Sequence, residues 1–162
     1  HLQEFWAKNR GRPQVTGVRY AGAESARASS SATEAIRRAD RIIIAPANPV
    51  SSIGPIVALA GIRQELAQAR DRVVAVSPVV GRRAVSGPAA KYMKAAGLRV
   101  SAVGIAEYYS DFAGSLVIAK SDRHMAGEIR KLGLDVRETN IMMHGRRDEA
   151  RLARYLLEGL YR

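Results

Sequence analysis

At 162 residues, 47% apolar and without a cysteine, the chain is long enough to bury one core, and it excludes a disulfide framework and a thiolate metal site. No apolar run approaches the length that crosses a bilayer, so the sequence reads as a soluble, cytoplasmic protein. Lys and Arg number 26 against 15 Asp and Glu, a net charge of +11 that favours anionic partners. The arginines lie in scattered pairs, Arg37-Arg38, Arg82-Arg83 and Arg146-Arg147, with no basic block interleaved with aromatics; that is a solvated basic surface rather than a nucleic-acid groove.

In chain order, the sequence opens at His1 in a helix-like stretch, HLQEFWAKNRGRP, and reads as the continuation of something longer. A strand is expected over 15–20, then a polar loop, SARASSSA, closed by the capping-box spacing of Ser31 and Glu34 ahead of a helix over 33–39. Strand 41–45, helix 61–69, strand 73–77 and helix 88–96 follow, the last stopped by Gly97. A loop or short helix carries AEYYSDF, whose tyrosines read as packing residues or, alternatively, as a stacking surface for a heterocycle. Strand 116–119, helix 122–132 ended by Gly133, strand 135–139 and a helix over 148–161 complete the chain. In that last helix Leu152, Leu156 and Leu160, with Ala153 and Leu157 beside them, make a core stripe, and Arg151, Arg154 and Glu158 face outward. Strands 42–45 and 73–76 are continuously apolar, as when helices cover both faces of a sheet. The fold class is therefore α/β, a Rossmann-like, mostly parallel sheet with helices on both faces, in a single domain spanning 1–162.

Ligands of open parallel sheets bind beyond the carboxyl ends of the strands. Two strand exits share a design there: Asn48, Ser52 and Gly54-Pro55 after the first, and Ser86 with Gly87-Pro88 after the second. Proline suits a first helical turn, glycine admits close approach, and helix amino termini hold anions, so the pair reads as a diphosphate cradle. Asn48 and Ser52 equally suit plain capping of a turn. Lys91 and Arg82-Arg83 could pair with phosphate or merely be solvated. GxxxxGK and GxGxxG are both absent, and His124 and His144 have no partner at metal-ligand spacing.

The segments NPVSSIGPI, VAVSPVVG, SGPAAKYM and GIAEYYSDF, in this order, resemble the carboxyl-terminal half of the 2-phospho-L-lactate transferase family of coenzyme F-420 biosynthesis. The resemblance implies transfer of a phospholactyl or phosphoenolpyruvyl group from a guanosine diphosphate conjugate to the deazaflavin alcohol Fo, with GMP released and magnesium as the metal. It places Asn48, Pro49, Ser52, Ile53, Gly54 and Pro55 in substrate and phosphate binding, together with Ser77, Pro78, Gly81, Ser86, Gly87 and Lys91. Asp111, in the segment that holds Tyr109 and Phe112, is the one carboxylate it suggests near substrate or metal. The family's amino-terminal half, with a Gly-Gly-Thr-Gly loop, has no counterpart in this sequence. The chain is thus expected to be the carboxyl-terminal part of a two-part transferase, incomplete by itself, with metal ligands in the other half. A homodimer is compatible with the resemblance. The alternative is a non-catalytic nucleotide-sugar-binding regulator, since such relatives share the fold and the Asn-Pro motif.

Overall fold

The computed structural model describes residues 1–85 and 87–158. A widened helical turn, Glu4–Lys8, and an irregular extended segment precede the first helix, α1 (Ser30–Arg38). No strand forms over 15–20: among the described residues no strand lies beside the segment to pair with it, and it is held instead by side chains, with Val15 on the core and Tyr20 reaching the backbone of Val50. The capping box at Ser31 and Glu34 is also not formed. Ser29, with extended backbone, is the cap and accepts the Ala32 N–H at 3.2 Å, whereas Ser31 is already helical and Glu34 pairs with Arg38 one turn later.

Next come β1 (Ile42–Ile44), a helical turn Pro49–Ile53 running into α2 (Gly54–Val57), α3 (Ile62–Gln68) and β2 (Val73–Val76). A small hairpin of β3 (Val79–Val80) and β4 (Arg83–Ala84) leads to α4 (Ala89–Ala95) and α5 (Ala102–Tyr109). The chain then forms β5 (Ser115–Ala119), a 3-10 turn Lys120–Met125, α6 (Ala126–Lys131), β6 (Asp135–Thr139) and α7 (Arg146–Glu158). Gly97 and Gly133 have φ of 74° and 81° just past α4 and α6, the left-handed conformation that ends a helix cheaply only at glycine.

The four long strands are all parallel in the order β1-β2-β5-β6. Each crossover steps to the next strand in the same direction, so a constant right-handed connection puts the intervening helices on one face. Val73, Ala75, Leu116 and Ile118 point into that face with Ile62, Leu66, Met93, Ile105 and Ile129. Alternate residues Val74, Val76, Val117 and Ala119 meet Leu152 and Leu156 of α7 on the other face. Both faces are covered, one by six helices and the other by α7. The leucine stripe is narrower than its spacing suggests: Ala153 and Leu157 are exposed, and Leu160 lies outside the described residues.

The α1–α3 contact is clamped by Arg37, whose guanidinium donates to both oxygens of Glu65, at 2.7 Å for Nε to Oε2. Glu65 is nearly buried, and the hydrogen bonds from Arg37 hold its carboxyl below the ordinary value of 4.5. A carboxyl depressed in the folded state stabilises above its unfolded pKa and loses that contribution as pH falls through the folded one. Arg37→Gln should therefore lower the urea midpoint at pH 7 and lower it less in acid, well below pH 4.5. Equal midpoint differences across that range would show that the clamp is not ionic.

Candidate functional site

The β1 exit is organised by Asn48. Its Oδ1 accepts the N–H groups of Val50 at 2.9 Å and Ser51 at 3.2 Å, and its carbonyl accepts those of Ser52 and Ile53. Pro49 has no N–H to place, so the first turn is closed on itself before any ligand arrives. The capping role of Asn48 is thus realised by its Oδ1, and the turn also carries the hydroxyls of Ser51 and Ser52. Pro49 is buried, Ile53 and Pro55 are half-buried and Ser52 is exposed. Gly54 is buried because Tyr20 occupies the place of a side chain: a Cβ there would overlap the Tyr20 hydroxyl and lie 2.7 Å from its Cζ. That hydroxyl donates to the Val50 carbonyl at 2.5 Å, and burial pushes its pKa up to about 12.

The β2 exit is organised by two buried groups. Ser77, fully buried, donates to the Val79 carbonyl at 2.9 Å and accepts its N–H at 3.1 Å, which turns the chain over buried Pro78 into the hairpin. Gly81, at φ 61°, makes the hairpin bend and gives its N–H to both carboxylate oxygens of Asp122 at 2.9 Å. Asp122 is 1% exposed and comes from the turn after β5, so the third strand exit braces the second. Beyond the hairpin, Ser86 lies outside the described residues, and Gly87, at φ 59°, precedes Pro88 at the cap of α4.

These two exits are brought together: the Pro49–Ile53 turn packs against α4. Lys91 is not turned into the space between them. Its ammonium donates to the carbonyls of Gly11, Arg12 and Pro13 at 2.6, 2.8 and 3.2 Å, tying the amino-terminal segment to α4. Asp111 is elsewhere, in the connection entering the amino end of β5, and Arg63 takes both its oxygens at 2.6 and 2.8 Å. Tyr109 is fully buried against Phe112 and is a packing residue.

Among the described residues no three of His, Asp and Glu gather where a metal ion could bind. Asp122, the acid beside the cradle, is already committed to Gly81. The described residues form no acidic cluster that fits a magnesium site.

The residue pattern does not single out Asp122 or Tyr20. Asp122 follows an apolar strand and reads as a helix start; only the fold shows that it points back to Gly81. Tyr20 reads as the end of a strand over 15–20, and only the fold shows that it fills the space beside Gly54.

Residues 1–143 match the family model described as 2-phospho-L-lactate transferase CofD. The chain is 43% identical over 143 residues to the 2-phospho-L-lactate transferase of Methanococcoides burtonii, covering 88% of this chain and 46% of that protein. It is 40% identical over 161 residues to the 2-phospho-L-lactate transferase of Methanosarcina barkeri, covering 99% and 51%. For the 2-phospho-L-lactate transferase of Methanocaldococcus jannaschii the identity is 44% over 157 residues, covering 97% and 49%. The chain spans about half the length of the curated relatives it matches.

Proposed function

The chain belongs to the 2-phospho-L-lactate transferase CofD family, and from that premise we propose that it supplies the diphosphate-facing side of a site that moves a phospholactyl or phosphoenolpyruvyl group from a guanosine diphosphate conjugate to Fo. In this reaction the terminal hydroxyl oxygen of Fo bonds to the phosphorus that carries the lactyl or enolpyruvyl group. The bridging P–O bond breaks, GMP leaves with the electron pair, and the hydroxyl proton is lost. Such a displacement depends on holding the phosphates and the hydroxyl in line.

The observation that carries the reading is the packing of the Asn48–Ser52 turn against the start of α4, which sets two matching loops side by side at the carboxyl ends of β1 and β2. Asn48 stiffens the first turn, and the Ser51 and Ser52 hydroxyls offer donors to phosphate oxygens. Ser77, Pro78, Gly81 and Asp122 shape the second loop.

Calorimetric titration of the 162-residue chain with GDP, with and without magnesium, tests this reading. Saturable binding is expected, weakened about tenfold by Ser52→Ala through loss of one hydrogen bond to a charged oxygen. Saturable binding of a UDP-sugar with no affinity for GDP would instead favour a nucleotide-sugar-binding regulator.

A further inference from the structure

Lys91 commits its ammonium to three successive carbonyls, those of Gly11, Arg12 and Pro13 at 2.6, 2.8 and 3.2 Å, which matches the donors an ammonium has. Consecutive carbonyls converge on one point only where the chain bends sharply. The bend is made by Arg10 and Gly11, with φ of 51° and 63°. Among the described residues Arg10 is the one other than glycine with positive φ, a conformation that strains a residue carrying a Cβ. A strained bend at the edge of the molecule is thus held by a lysine of α4.

Ahead of the bend, the turn Glu4–Lys8 lies across the cradle. Leu2, Gln3 and Trp6 face Ser51 of the first loop and Pro88 of the second around a space of about 160 Å³. The Trp6 indole also reaches Gly87, where a Cβ would lie 3.7 Å from its edge. Ligand pockets are typically about 300–1,000 Å³, so a nucleoside diphosphate does not fit beneath the turn as it lies. The turn is lightly attached: Phe5 is half-buried, its ring 5.6 Å from that of Tyr92, and the other residues of the turn are exposed. A segment with so few buried contacts opens at low free-energy cost once its fastening is released.

We propose that residues 1–9 form a lid on the cradle, hinged at Arg10 and Gly11 and latched by Lys91, and that Lys91 is therefore a positioning residue governing ligand entry. The inference rests on the transferase reading for the identity of that ligand, a nucleoside diphosphate. With the latch closed, the turn occupies the space over Ser51 and Pro88. With it open, both loops face solvent, and relief of the strain at Arg10 favours the opening. A ligand captured by the open form associates at a rate set by the open fraction.

Amide exchange of the 162-residue chain, together with stopped-flow binding of GDP followed by the emission of Trp6, the sole tryptophan, tests the lid. Two variants release the latch from opposite sides. Lys91→Met keeps the aliphatic stem and removes the ammonium. Gly11→Ala keeps the ammonium and opposes the bend, since a Cβ there, at φ 63°, would stand 3.0 Å from the Trp6 ring. In both, the N–H groups of Asn9 and Gly11, which donate to the carbonyls of Glu4 and Phe5, should exchange about tenfold faster while Val74 and Ala75 keep their protection. GDP should associate about tenfold faster with both variants than with the wild type. Unchanged exchange in either variant overturns the latch. Faster exchange with unchanged association overturns the lid and leaves the transferase reading standing. Slower association with Lys91→Met beside an unchanged rate with Gly11→Ala makes Lys91 a direct phosphate ligand and overturns the lid as well. GDP binding to none of the three chains removes the transferase reading and the lid together.

Discussion

Alanine at position 104 should lower the unfolding free energy by about 3 kcal/mol, the upper part of the range for forcing atoms into a packed core. Gly104 sits in the first turn of α5, where a Cβ would overlap the Arg99 carbonyl oxygen and stand 2.7 Å from its carbon. These are backbone atoms, so no side chain can swing aside. Relief requires moving the 99–101 turn, and Ser101, whose hydroxyl accepts the Gly104 N–H at 3.2 Å, would lose its capping position. It also requires moving α5, which buries Ala102, Val103, Ile105, Ala106 and Tyr109. Urea unfolding at neutral pH reads the effect. Gly127→Ala is the companion in the same assay: that position lies in α6 with nothing within 4 Å of a Cβ, so alanine should stabilise by about 0.5–1 kcal/mol. Equal midpoints for the two variants would show that the packing at Arg99 is looser than described.

Asp122→Ala should cost about 2–3 kcal/mol, the range for hydrogen bonds to a charged group together with the desolvated donor left behind. Its two oxygens are the acceptors of the Gly81 N–H, and no other acceptor is found for that N–H among the described residues. Amide exchange places the loss: Gly81 should exchange markedly faster in the variant, while Val74 and Ala75 in the sheet keep their protection relative to global unfolding. Asp122→Asn keeps one acceptor oxygen and should recover about half the loss. Because the hairpin carries the second loop of the cradle, GDP affinity should fall with it. A full stability loss in which Gly81 keeps its protection would assign the role of Asp122 to something other than bracing the hairpin.

Strands β1, β2 and β5 are legible because each is a short, nearly continuous apolar run bounded by turn residues, which is what a strand covered on both faces must look like. The edge strand β6, Asp135–Thr139, carries one apolar residue, Val136, and yet matches the expected bounds to the residue. α5 was not legible as a defined helix because six of its eight residues are buried, which leaves no polar face to give a 3.6-residue period. The 15–20 segment reads as strand-like from its short apolar stretch, but a strand needs a neighbour, and none lies beside it among the described residues. At the site, the two strand exits and their likeness were visible in the residues, as was the ambiguity of Asn48 between capping and ligand binding. The structure shows the capping, since Oδ1 is within reach of two N–H groups.

What the sequence determined by itself is local or compositional: the alternation of strands and helices, their glycine stops, the parallel sheet that follows from them, and the family, which rests on residue order. Only the tertiary structure decided which side chains meet. Lys91 ties to carbonyls some eighty residues earlier, Asp122 reaches back across the sheet to Gly81, and Asp111 ends at Arg63 away from the cradle. The physical reason is that a hydrogen bond is set by distances within about 3 Å. Strand order and crossover handedness determine those distances between remote parts of the chain, and no local pattern encodes them.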